Sequence, residues 1–401
     1  MKRLNILYIV GDRGHDLTAN HGYRIHVLKI LEHLEKKGHQ TFLIHINDKK
    51  HLPDFKNYLC IPHHYMPIIH RFLPYTGFLD SKNILAEIIR IDRRIHFDVI
   101  HERCGLYSYG GILAAKLLKK PLILEVNAPL VEEKRLFTEP LKSYQKLSAT
   151  MSTKVCFKFS DRIVAVSNVL KEILVNDWHI TGDKIKVIPN AFDSSLFNKQ
   201  CDTIHNKTKL GLLNAFVITF VGTFQTWYGI ENIVDAFCLV VKEIPHARLL
   251  LVGDGLLRKD LKTRVEKLGI DKTVIFTGYV NHNLIPEILA ITDITVAPFR
   301  PLPTGFYFSA IKIFEYMGAG KPIVASRIGQ IGEILEHGKT GLLVNPGDIQ
   351  GLVDSIMRLY KEPNLMKRLG TNARVEAGKY TWDAYADKLI EIYTELITPN
   401  A

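Results

Sequence analysis

The chain has 401 residues, 47% hydrophobic and 23% charged, which excludes a disordered chain or a small disulfide scaffold and suits two globular domains of about 200 residues each. No apolar run approaches about eighteen residues, so no bilayer-spanning helix is expected. The formal net charge of +11 is uneven: residues 1–190 hold 29 Lys+Arg against 19 Asp+Glu, and 13 of the 17 His.

A basic first half suits an anionic partner, either a membrane leaflet, a lipid-linked phosphate or nucleic acid. No zinc-finger spacing, RNP-like aromatic motif or continuous basic run supports nucleic acid, so a membrane surface is favoured. Five scattered cysteines without C-x-x-C spacing point away from disulfides and zinc and toward a reducing cytoplasmic setting, where the basic first half would place the chain peripherally on the inner face of a membrane. The start MKRLNILYIVGD lacks a cleavage site and reads as a buried strand rather than a signal peptide.

In chain order, the run Leu4–Val10 predicts that first strand. A helix from about Tyr23 to Lys37 and a strand Thr41–His45 complete a strand, helix, strand unit, the start of a parallel sheet. The loop between Gly11 and Gly22 lies at the C-terminal end of the first strand, where open α/β sheets place ligands. It lacks G-x-G-x-x-G, which disfavours a dinucleotide-binding dehydrogenase. Residues 51–80, rich in Pro, His and aromatics without a clean period, predict an irregular surface element that covers an acceptor or touches lipid.

Strands at Asp98–Glu102 and Leu122–Val126 flank a helix from Gly110 to about Lys119. Both end in polar residues, His101, Glu102 and Arg103 after one and Glu125 and Asn127 after the other, predicted to converge on a cleft. Glu125 and Glu133 are candidates to position an acceptor hydroxyl; a helix-start carboxylate explains Glu133 equally well. A strand Asp161–Val166 precedes a helix that Ser167 caps. Lys186–Pro189 closes the first domain, and Asn198–Lys209 reads as a linker.

The second domain repeats the alternation, with strands at Val217–Val221, Arg248–Val252, Val274–Thr277, Ile294–Ala297 and Pro322–Ala325. The loop Gly222–Gly229 is expected against donor phosphates. In the stretch Phe306–Gly347 a helix is predicted to open near Ser309. Ser309, Lys312 and Glu315 recur every three residues and share one face, predicted wet, while Ile311, Phe314 and Met317 pack into the core. A helix start favours a phosphate, Lys312 adds a charge, and Glu315 is placed to accept from a pair of vicinal hydroxyls such as a ribose. A solvated Lys312–Glu315 pair is the plain alternative.

The run SAIKIFEYMGAGKPIVAS followed by GQIGEILEHGKTGLLVNPGD resembles the donor-site signature of family 4 glycosyltransferases. VSNVLKE, KVIPNAFD, FVGTF, LLLVGDG and VIFTGYV agree in order. The resemblance implies a GT-B fold, α/β, with two Rossmann-like domains facing each other across a cleft. It divides the chain into an acceptor-binding domain, 1–190, a nucleotide-sugar-binding domain, 191–378, and a segment 379–401 whose helix crosses back to the first domain.

It further implies a retaining transfer of sugar from a nucleotide-sugar to an acceptor hydroxyl, in polysaccharide or glycolipid assembly, without metal or cofactor. Catalytic roles fall to Lys312, Glu315 and Asn127, the last standing where many members carry a His. The donor set is Gly222, Thr223, Gly253, Val280, Ser309, Lys312, Glu315, Gly329 and Gln330; the acceptor set is Asn20, His21, Gly22, His101, Arg103, Glu125 and Glu133. Two departures stand out: Thr223 and Tyr228 replace a usual Arg and Lys, and Tyr307 replaces the first of two Glu residues. A nucleotide-sugar-binding protein without turnover and a GT-B epimerase remain alternatives.

Overall fold

Short β-branched strands buried on both faces are stable when laid side by side in parallel with helices on either side. The computed structural model, which describes residues 2–12, 17, 22–46, 57–61, 77–137, 141–198 and 201–398, contains two units built this way. One comprises the chain up to Pro189 together with the helix Trp382–Ile397; the other runs Asn190–Thr381.

The first unit has seven strands: β1 (Asn5–Val10), β2 (Gln40–Ile46), β3 (Tyr58–Ile61), β4 (Val99–Arg103), β5 (Leu122–Val126), β6 (Arg162–Ala165) and β7 (Ile185–Val187). Their order is β3-β2-β1-β4-β5-β6-β7 and every pair is parallel. Val10 registers with Arg103, and Arg103 with Glu125, so the C-terminal strand ends are level. The helix Trp382–Ile397 is anchored to this unit by Lys37, whose ammonium lies 3.0 Å from Asp383 and 2.7 Å from Asp387.

The second unit has six strands: β8 (Phe216–Val221), β9 (Ala247–Val252), β10 (Val274–Gly278), β11 (Ile294–Ala297), β12 (Ile323–Ser326) and β13 (Leu342–Val344). They run parallel in the order β10-β9-β8-β11-β12-β13. In both sheets the direction of strand addition reverses beside the first strand, at β1/β4 and β8/β11, the switch point where such sheets bind ligands.

Several expectations change. Residues 51–80 are not uniformly irregular: Tyr58–Ile61 adds an edge strand and Gly77 opens the helix Gly77–Ile95, while 51–56 and 62–76 lie outside the described residues. The polar stretch read as a linker contains the helix Thr203–Lys209, started by Asp202 accepting from the His205 N–H. The short β13 was not anticipated. No described helix is long and apolar enough to cross a membrane.

Candidate active site

In the second unit, the ends of β8, β9, β10 and β12 and the start of the helix Ile311–Gly318 bring the expected donor residues into one region. Gly222 follows β8 with φ +147° and Gly253 follows β9 with φ +135°, a region side-chain-bearing residues rarely adopt. A Cβ on Gly253 would strike the Gly222 carbonyl, and one on Gly222 would strike the Lys312 ammonium. Both glycines are therefore required by close approach. Thr223 is exposed, Val280 half-buried, and Gly329 and the buried Gln330 form the turn after β12.

The helix begins at Ile311, two residues later than expected, because Ser309 is committed elsewhere. Its hydroxyl accepts from the Asn190 N–H (2.8 Å) and its carbonyl from the Asn190 side-chain amide (2.6 Å). The predicted wet face is also buried. Lys312 is 8% exposed and Glu315 4%, alongside buried Ile313, Phe314, Tyr316 and Met317, whereas Ile311 is half-buried. Helical spacing reveals which residues share a face; it does not reveal whether another layer covers that face.

The Lys312 ammonium lies 3.7 Å from the Tyr228 ring centroid, 4.0 Å from Phe220 and 5.5 Å from Phe299, and has no hydrogen-bond partner among the described residues. Burial pushes its pKa well below the ordinary lysine value, against a weaker opposing pull from Glu315. The ring of Tyr228, at a position where the family resemblance leads one to expect a cation, packs against the Lys312 nitrogen instead. Tyr307, at the other departure, is fully buried.

Glu315 is not free to meet a ligand alone: its Oε1 lies 2.5 Å from His282 Nε2. His282 opens the turn His282–Leu284 after β10. Sequence reasoning missed it, since an isolated His in a loop carries no periodic signal.

The first unit holds a different kind of cluster. Glu125 is fully buried, and its carboxylate accepts from Tyr8 Oη (2.7 Å), Arg103 (2.7 Å) and the Asn127 side-chain amide, with His26 Nε2 at 2.9 Å and His101 Nε2 at 3.3 Å. Burial alone would raise its pKa; His26, His101 and Arg103 outweigh that and hold it well below the carboxylate range. His101 also pairs with Tyr393 Oη at 2.7 Å, so the final helix completes the cluster. His101, Arg103 and Glu125 thus converge on one another as buried partners.

On the opposite face of β4, Glu102 accepts from Ser108 Oγ at 2.8 Å and faces the helix-start amides of Gly111 and Ile112, yet burial pushes its pKa up to about 7. Gly22 opens the helix Gly22–Lys36, and Glu133 lies in the first turn of Leu130–Phe137 with its own N–H bonded to the Pro129 carbonyl. Asn20 and His21 lie outside the described residues. Among the described residues no group of three His, Cys, Asp or Glu side chains is arranged to hold a metal ion.

Residues 21–196 match the family described as Glycosyltransferase Family 4, and residues 202–376 match Glycosyl transferases group 1, one model for each unit. The chain belongs to the family 4 glycosyltransferases. This glycosyltransferase is similar, at 24% identity over 93% of its length and 94% of the relative's, to an uncharacterized glycosyltransferase of Methanocaldococcus jannaschii. It is similar at 24% identity, over 79% of its length and 80% of the relative's, to the Escherichia coli UDP-Gal:alpha-D-GlcNAc-diphosphoundecaprenol alpha-1,3-galactosyltransferase. Among solved structures, Anabaena HepE in complex with UDP aligns with a TM-score of 0.74 at 20% identity, covering 98% of this chain and all of that one, and so shares the GT-B fold.

Proposed function

We propose that this glycosyltransferase moves a sugar from a nucleotide-sugar to an acceptor hydroxyl with retention at the anomeric carbon, and that the second unit grips the donor through its diphosphate beside Lys312. One observation carries this: an ammonium group buried among three aromatic rings, with no hydrogen-bond acceptor among the described residues. A buried cation held without an anion costs free energy unless a ligand supplies the counter-charge. Its place in the first turn of the Ile311–Gly318 helix adds the partial positive charge of that terminus, and Gly222 leaves the space in front of the ammonium unfilled.

When the bond between the anomeric carbon and the diphosphate oxygen breaks, negative charge grows on the departing nucleoside diphosphate. Fixed positive groups aimed at that oxygen accelerate the step most. We assign this neutralisation to Lys312 and the helix start rather than to a divalent ion, because the sequence has no D-x-D tripeptide. Glu315, oriented by His282, takes the ribose hydroxyls; Gly222, Thr223, Gly253, Val280, Gly329 and Gln330 shape the donor surface. Asn127, tied to Glu125, is assigned to a substrate hydroxyl.

The acceptor is a glycan or lipid-linked saccharide, a reading supported by the lipid-linked substrate in the name of the Escherichia coli relative and by the basic first half of the chain. The basic unit is then the one that meets an anionic membrane surface on its cytoplasmic side. A thermal-shift screen against UDP-, GDP- and ADP-sugars tests the donor reading. One class should raise the melting temperature in wild type and not in Lys312→Ala, since a ligand stabilises only the state it binds. A shift that survives the substitution unchanged contradicts it.

A further inference from the structure

The helix Ser143–Phe159 is apolar on the side that faces water. Ala149, Thr153, Cys156 and Phe157 bury its inner face, yet Tyr144, Leu147, Met151, Val155 and Phe159, spaced by three or four residues, form an outward stripe. Leu147 is 63% and Met151 60% exposed. The stripe continues onto the neighbouring helix Gly110–Leu118, where Leu117 is 64% exposed and Lys116 lies over the Phe159 ring at 5.9 Å. A contiguous patch of this kind on a soluble surface marks an interaction site.

Charge selects the partner. Residues 110–120 and 141–160 together contain seven Lys and no Asp or Glu. Lys154 and Lys158 flank the stripe, and beside them lies a cavity of about 350 Å³ lined by Lys154, Lys158, Lys184, Trp178 and His179. Lys184 is fixed there by donating to the Phe157 and Lys158 carbonyls at 2.6 and 3.1 Å. A second copy of the chain docked through this face would press lysines against lysines. An anionic bilayer instead takes the apolar side chains into its interfacial zone while the lysines meet phosphates.

We propose that the Ser143–Phe159 helix, with Leu113 and Leu117, is the surface by which this chain docks on an anionic phospholipid bilayer, and that the Lys154/Lys158/Lys184 cavity receives a lipid phosphate. This rests on the reading above that the basic unit faces a membrane, and it names the face. Docking here holds the unit at the interface by a helix lying in the plane of the membrane.

The test is flotation of the full chain with phosphatidylcholine vesicles, with or without phosphatidylglycerol, at low and high salt. Wild type should bind the anionic vesicles and be released by salt. The pairs Leu147→Ser/Met151→Ser and Lys154→Glu/Lys158→Glu should each weaken binding about tenfold or more, the lysine pair also flattening the salt dependence. Val375→Ser, an exposed apolar residue in the other unit, should bind as wild type. Circular dichroism establishes that each variant is folded. Release of nucleoside diphosphate in the presence of a water-soluble acceptor, unchanged in the stripe variants, separates this proposal from the transferase reading. Wild-type binding by both pairs, no binding of wild type to anionic vesicles at low salt, or a dimer that the stripe variants dissolve would each overturn it.

Discussion

A side chain at Gly222 would run into the Lys312 ammonium group. The two residues lie ninety positions apart and are brought together by the end of β8 and the start of the Ile311–Gly318 helix. Gly222→Ala should therefore cost about 1–3 kcal/mol through backbone strain and displacement of the lysine, and lower turnover more than a strained surface glycine would. Chemical denaturation together with steady-state kinetics checks this.

Lys312→Met removes a desolvated cation and keeps its bulk, so it should leave stability within about 1 kcal/mol of wild type, or raise it, while lowering turnover about 100-fold or more. The sign with pH follows from the depressed lysine pKa. The charged form is the disfavoured one in the fold, so the advantage of Met over Lys is full below the folded pKa and fades as pH rises toward the unfolded value of about 10.4. Urea melts of both proteins across pH measure it.

Glu315 and His282 act as a pair, their nearest atoms 2.5 Å apart. Glu315→Ala should weaken donor binding about tenfold, near 1.4 kcal/mol, and His282→Ala should weaken it less, by releasing Glu315 from its orientation. KM for the donor should rise in both with a smaller change in kcat. Equal KM values in all three proteins would remove the pair from the site.

Two fully buried carboxylates of the first unit, Glu102 and Glu125, should respond oppositely to pH. Glu102 has a folded pKa raised to about 7 from 4.5, so between those values the folded state holds a proton the unfolded state has lost, and its contribution falls as pH rises. Glu102→Gln should stabilise by roughly 1–3 kcal/mol above pH 7 and give no gain near pH 4. Glu125 is held well below its ordinary range, so its contribution is present above the unfolded pKa and lost as pH falls through the folded one. Glu125→Ala should cost about 3–5 kcal/mol near neutrality by stranding Arg103 and its neighbours. Denaturation at acid and neutral pH separates the two.

Much of this architecture was legible because parallel strands buried on both faces read as continuous β-branched runs, as at Leu4–Val10 and Val217–Val221. The strands that escaped, Tyr58–Ile61, Ile185–Val187 and Leu342–Val344, are short and lie at sheet edges, where a weak pattern cannot be told from a loop. The three-residue recurrence of Ser309, Lys312 and Glu315 put Lys312 and Glu315 on one face of the helix Ile311–Gly318, which Ser309 precedes. That face proved buried because Phe220, Tyr228 and Phe299 arrive from segments far away in sequence. The strand ends had placed His101 and Arg103 with Glu125, but His282 beside Glu315, and Tyr8 and His26 beside Glu125, were invisible for the same reason: tertiary packing sets those contacts, not spacing.

The most direct test of the donor site is calorimetric titration of wild type and Lys312→Met with UDP, GDP and ADP in buffers of different ionisation enthalpy. Measurements are made at a pH between the depressed lysine pKa and about 10.4. One nucleoside diphosphate should bind wild type with uptake of a proton, as its phosphates restore the charge on Lys312. In Lys312→Met the affinity should drop about tenfold or more and the proton uptake should vanish. Equal affinity and equal proton uptake in the two proteins would contradict a diphosphate held at Lys312.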